Sequence, residues 1–116
     1  MSFAELIATA DDAGAAAVRE VCELALAQAP HAQEGPSYGV AALRHLGRPL
    51  IGIGTNAKGF SLFPFSPAVV TAVAADLPGF TLTKGSIGFS GTRPIPRPVL
   101  TRIVRLRLAE IEPSPR

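Results

Sequence analysis

Apolar residues recur at helical spacing through the first thirty positions and give way to short extended runs from Val40 onward. Val18, Val21, Cys22, Ala25 and Ala29 fall on one face of a helix predicted over residues 11–29, with Asp11 or Asp12 as N-cap and Pro30 beyond its end. Residues 4–10 read as a separate short helix and residues 31–36 as a polar loop. Three brief runs follow, at 40–46, 49–55 and 60–63, parted by the turn signals Gly47-Arg48 and Asn56-Ala57-Lys58-Gly59. Ser66-Pro67 joins a capping hydroxyl to a proline at the first helical position, where its missing N–H costs nothing. Val69, Val70, Val73 and Leu77 form the apolar face of the helix that starts there, and Leu77-Pro78-Gly79 ends it. Residues 80–82 and 86–89 are again extended in character. The run Arg93-Pro94-Ile95-Pro96-Arg97-Pro98 resists both helix and central strand, because proline fixes φ and lacks an N–H. It reads as a stiff arm delivering a last helix over 98–111, with 112–116 as a frayed tail. This order predicts an α+β fold, an antiparallel sheet with three or so helices packed against it.

Composition narrows the picture. The 116 residues suit one domain, 1–116, able to bury a single core. Although 47% of residues are hydrophobic, alanine supplies much of that figure, and no run approaches the roughly 18 apolar residues of a membrane helix. The start Met1-Ser2-Phe3-Ala4-Glu5 lacks the basic, then apolar character of a secretory signal, so a cytoplasmic location is expected. The single Cys22 excludes an internal disulfide and a cysteine-rich zinc site, and its place on an apolar face predicts a buried, inert thiol. Net charge is +2, with Arg93, Arg97, Arg102, Arg105 and Arg107 gathered near the C-terminus. There is one tyrosine and no tryptophan, so no basic stripe is interleaved with stacking aromatics, which argues against nucleic acid as a partner.

The strongest chemical signal is Thr83-Lys84-Gly85-Ser86-Ile87-Gly88-Phe89, a polar cluster in an apolar background that holds one of two lysines. It is not a phosphate-binding P-loop, because the earlier glycine and the following long helix are missing. A lysine ammonium, a serine hydroxyl and exposed glycine amides suit a carboxylate or phosphate; a turn lysine with its head in water is the other reading of Lys84. Tyr38 offers a ring and one directed hydrogen bond, either to a ligand or to a backbone carbonyl. On the last helix Arg107 projects into the face formed by Val99, Leu100, Ile103, Val104, Leu108 and Ile111. A guanidinium there needs a carboxylate, carbonyls or an anionic ligand. His31 and His45 lack metal-type spacing, and His45 beside its turn is expected in solvent. Ser37, Ser61, Ser86 and Ser90 have no histidine or acid at a diagnostic distance, so no catalytic constellation is recognised.

Three motifs in sequence resemble the YdhG-like domain family, once a family of unknown function, whose members are often described as iron chaperones or frataxin-like. The first is Ser37-Tyr38-Gly39, followed here by Val40-Ala41-Ala42-Leu43 where relatives carry Met-Pro and an aromatic. The second is Gly47-Arg48-Pro49-Leu50, leading to Phe60-Ser61-Leu62-Phe63-Pro64. The third is the Lys84 cluster, then Arg93-Pro94-Ile95-Pro96 and Ile103-Val104-Arg105-Leu106-Arg107. The resemblance spans residues 12–110 and implies an α+β domain with helices on one side of its sheet.

The residues then favour a non-catalytic domain that presents Tyr38, Lys84, Ser86 and Arg107 to a small anionic ligand or a protein partner. The resemblance alone implies a second function, iron delivery, for which Asp11, Asp12, Glu20 and Glu23 are the available ligands. No other cofactor is expected. A third reading is a self-associating module, a homodimer that covers its own apolar surface.

Overall fold

The computed structural model describes residues 2–112, so the tail expected over 112–116 lies almost wholly outside the described residues. Helices α1 (Phe3–Thr9) and α2 (Asp12–Gln28) lead into a five-stranded sheet. Its strands are β1 (Gln33–Ser37), β2 (Val40–His45), β3 (Arg48–Asn56), β4 (Gly59–Phe63) and β5 (Ile87–Phe89), in spatial order 1-2-3-4-5 with every neighbouring pair antiparallel. Helix α3 (Pro67–Val73), extended by a 3₁₀ turn over Ala74–Asp76, separates β4 from β5, and α4 (Arg97–Ile111) follows. The fold is α+β, as the pattern predicts.

Three of the four helices begin where side-chain chemistry supplies a partner for free N–H groups, and α4 instead starts at Pro96 with no side-chain cap. Ser2 and Glu5 form a capping box on α1, Asp11 accepts the Gly14 N–H at 2.7 Å, and Ser66 accepts the Val69 N–H with Pro67 in the first turn. Glu34, expected in a loop, sits on β1 and accepts the Phe3 N–H at 3.0 Å, which ties α1 to the sheet edge.

Strand β1 departs from the expected loop. Its sequence Gln-Glu-Gly-Pro-Ser shows no alternation, and it becomes a strand because Ser37 opposite Val40 closes a tight hairpin. Pro36 is tolerated there because an edge strand has one unpaired side. The first two hairpins turn on Tyr38-Gly39 (φ 51° and 79°) and Leu46-Gly47 (φ 53° and 77°). Positive φ at both central residues is the mirror-image turn that matches strand twist. The second turn therefore falls one residue before the expected Gly47-Arg48, and Arg48 pairs with His45.

Ala41, Leu43, Ile51, Ile53, Phe60, Leu62, Ile87 and Phe89 point to one sheet face and join Val18, Val21, Ala25, Val70, Val73, Leu100, Ile103 and Val104 in a single core. Between Leu43 and Arg44 the β2–β3 register slips, leaving Leu50 as an extra residue. Leu50 and Ile51 are consecutive and both fully buried, which a regular strand would not allow on one face.

At this bulge the helical layer is bolted to the sheet. Arg107, only 6% exposed, donates from Nε and Nη2 to the Pro49 carbonyl at 3.0 and 2.9 Å and from Nη1 to Glu110 at 3.0 Å. Glu110 also accepts the Ser66 hydroxyl at 2.8 Å, so the network reaches the cap of α3. Arg107 points inward as its helical position predicts, and of the partners that position left open it meets a carbonyl and a carboxylate of the protein. His45 is likewise not in open solvent: it is half-buried against Glu112 at the end of α4. Replacing Arg107 strands the Pro49 carbonyl and the Glu110 carboxylate, so Arg107→Leu should lower stability by about 2–3 kcal/mol, read as a lower urea midpoint. An unchanged midpoint would show that the clamp contributes nothing.

Candidate functional site

At one end, the sheet face turned away from the helices is paved with small residues. Gly54 lies opposite Ser61, and Ser61 opposite Gly88, giving a floor of two glycines and one serine across β3, β4 and β5. At this end a cavity of about 570 Å³ opens, bounded by the β3–β4 turn, the strand-like segment around Thr81, and the loop after β5. Six hydroxyls line it, those of Ser61, Thr81, Thr83, Ser86, Ser90 and Thr92, together with the Asn56 amide. Lys58 and Arg93 supply two cations, and among the described residues no Asp or Glu lines it.

Local chemistry places each group. Asn56 accepts the Lys58 N–H at 2.8 Å and donates to Ser61 at 2.9 Å, so one side chain both builds the turn and orients a wall hydroxyl. Thr83 and Ser86 share a hydrogen bond of 2.6 Å, and the Thr83 N–H meets the Ser86 carbonyl at 3.0 Å, closing the loop that holds Lys84. Ser90 accepts the Arg93 N–H at 3.1 Å. The Arg93 guanidinium stands over the Phe80 ring, 5.4 Å from its centre. Gly79 (φ 82°) permits this placement, because a Cβ there would lie 2.7 Å from Arg93 Nη1. Among the described residues neither Lys58 nor Arg93 forms an ion pair, whereas Arg97, Arg102 and Arg107 pair with Glu20, Asp76 and Glu110.

Of the four ligand-binding candidates read from sequence, Tyr38, Lys84, Ser86 and Arg107, Ser86 alone lies on this wall. Lys84 is exposed on the same loop but outside the lining, and Arg107 belongs to the clamp between α4 and β3. Tyr38 is 87% exposed in the β1–β2 turn, its ring 5.7 Å from that of Phe65, with no place in the cavity. The expected convergence of Tyr38, Lys84 and Ser86 therefore does not occur. Lys58 and Arg93 were legible only as a turn residue and part of a proline arm; the Asn56-Ala57-Lys58-Gly59 turn signal was the available clue.

The acidic positions also stay apart. Asp11 caps α2, Asp12 and Glu23 are exposed, and Glu20 pairs with Arg97 at 3.4 Å. Among the described residues no three His, Cys, Asp or Glu side chains gather as a metal site. No helix is long and apolar enough to cross a membrane, again among the described residues.

No family model and no curated protein matches the sequence. A crystal structure does: a DUF1801-family protein, YdhG from Bacillus subtilis, is 19% identical with a TM-score of 0.78, over 97% of this chain and 93% of that one. The chain has the YdhG fold. At this level of identity the YdhG likeness is one of architecture, and it agrees with the fold implied by the sequence motifs.

Cys22 is half-buried on α2 against the core, away from the cavity. Burial, and after it the charges of Glu34 and Glu23, pushes its thiol from 9.0 up to about 12. At pH 8 a thiol reagent should label the native protein at least about a hundredfold more slowly than the urea-unfolded chain. Because the unfolded chain ionises first, this thiol favours the folded state below pH 9, and that contribution fades as pH rises toward about 12. Rapid native labelling would contradict the buried placement.

Proposed function

We propose that this domain is a non-catalytic binding module for a small anionic ligand, held in the cavity between the β3–β4 turn and the segments flanking β5. One observation carries the reading: two cations without acidic partners face a wall of six hydroxyls from which carboxylates are absent among the described residues. An Arg guanidinium held against an aromatic ring is positioned to meet a carboxylate or phosphate with little further ordering. Serine and threonine hydroxyls complete such a site, since each can donate to anionic oxygen or accept from a ligand hydroxyl. The cavity volume lies within the roughly 300–1,000 Å³ of ordinary small-molecule sites. Ser86 keeps the wall role read from sequence, while Lys58 and Arg93 take the charge role assigned there to Lys84.

Thermal melts with inorganic phosphate and small carboxylates test the reading. A ligand binding only the folded state at about 100 times its Kd adds roughly 2.7 kcal/mol. Arg93→Ala should weaken that binding about ten- to a hundredfold, the loss of one charged hydrogen bond, with a smaller loss in Lys58→Ala. Lys84→Ala should leave it unchanged. If no anion shifts the melt, or if ferrous iron alone does so and Arg93→Ala has no effect, this reading is wrong.

A further inference from the structure

Next to the cavity floor, outside the cavity lining itself, the same sheet face carries an aromatic surface. On β4, Ser61 and Phe63 share the open face, about 7 Å apart along the strand. The Phe63 ring does not stand upright over its own partner Gly52. Its Cε2 atom lies 3.4 Å from where a Cβ of Gly54 would be, so the ring leans back toward the row formed by Gly54, Ser61 and Gly88. That row is the floor on which Ser61 and Gly88 line the cavity. Behind Phe63 stands Phe65, with ring centres 6.5 Å apart, and Tyr38 stacks on Phe65 in turn.

These rings are not core material. None of the three belongs to the main hydrophobic cluster, and Phe63 and Phe65 remain half-exposed. Two of them sit on backbone that side-chain-bearing residues rarely adopt, Tyr38 at φ 51° and Phe65 at φ 57°. Glycine at 52 and 54 is what lets the row lie flat on the sheet, since a Cβ at Gly52 would come within 2.9 Å of the Phe65 ring.

Resting on the anion reading above, we infer that the ligand is an anion carrying a flat ring, its charged group between Lys58 and Arg93 and its ring against Phe63. The order of cations, hydroxyls and ring sets the class. A bare phosphate or small carboxylate reaches the cations alone, whereas a molecule such as a nucleoside monophosphate, with a sugar between charge and ring, spans the hydroxyl wall as well.

The test compares adenosine monophosphate with ribose 5-phosphate by calorimetry on the full chain. The wild type should bind the nucleotide at least about fivefold more tightly, the lower end of what one stacked base contributes. Phe63→Ala should erase that difference without changing the affinity for ribose 5-phosphate, and Phe63→Leu, which keeps apolar bulk, should do the same if Phe63→Ala is poorly folded. Equal binding of the two phosphates by the wild type, or equal weakening of both by the Phe63 variants, overturns the ring subsite while the anion site stands. If neither phosphate binds, and Arg93→Ala alters no anion-dependent melt, the anion reading fails and the ring subsite with it.

Discussion

A buried guanidinium must find partners, and here that requirement joins the two layers of the fold. Arg107 occupies an inward position on α4, where leaving its charge unpaired would be costly. The partner it finds is the carbonyl of Pro49, at the point where a bulge interrupts the β2–β3 ladder. One defect answers the other: the interrupted ladder offers an acceptor, and the helix supplies donors. Through Glu110 the same guanidinium reaches Ser66, whose hydroxyl also starts α3. The angle of α4, the bulge in β3 and the first turn of α3 are thereby parts of one arrangement.

Fixing the helices on one side leaves the other side of the sheet to be decided by residue size. Gly54, Ser61 and Gly88 keep that face low at one end, and the turn after β3 and the loop after β5 rise around it as walls. Gly59, at φ 146°, lets the two walls approach, because a Cβ there would lie 2.8 Å from the Phe89 carbonyl. The rigid helical layer thus stands behind a site made almost entirely from turns and loops. Scaffold and chemistry are divided between the two faces, the usual economy of a domain whose recognising residues lie on connecting segments.

Much of the architecture was legible in the chain. The helix over 11–29, the Ser66-Pro67 start, the last helix that follows the proline arm and the central strands all carry local signals, and each forms within a residue or two of its expected place. Strand β1 was not legible, because an edge strand of Gln, Glu, Gly, Pro and Ser is made by its neighbour and not by its own propensity. The site was legible only in outline. The Thr83–Phe89 cluster does border the cavity, and Ser86 faces into it, yet the lysine that drew attention stands outside. Its partner in composition, Lys58, lies in a turn whose glycine and asparagine announced geometry and gave no hint of charge.

By itself the sequence determined the periodicities, the caps and turns, the apolar face of each helix and the inward position of Arg107. These depend on residues within a few positions of one another, where backbone stereochemistry and hydrogen bonding act directly. Tertiary structure alone decided what Arg107 meets, which cations share a cavity and which rings lie beside it. The deciding pairing is distant in the chain: Arg107 and Pro49 lie 58 positions apart. Only the completed sheet and the helices packed on it bring such residues together, because no local preference specifies a distant partner.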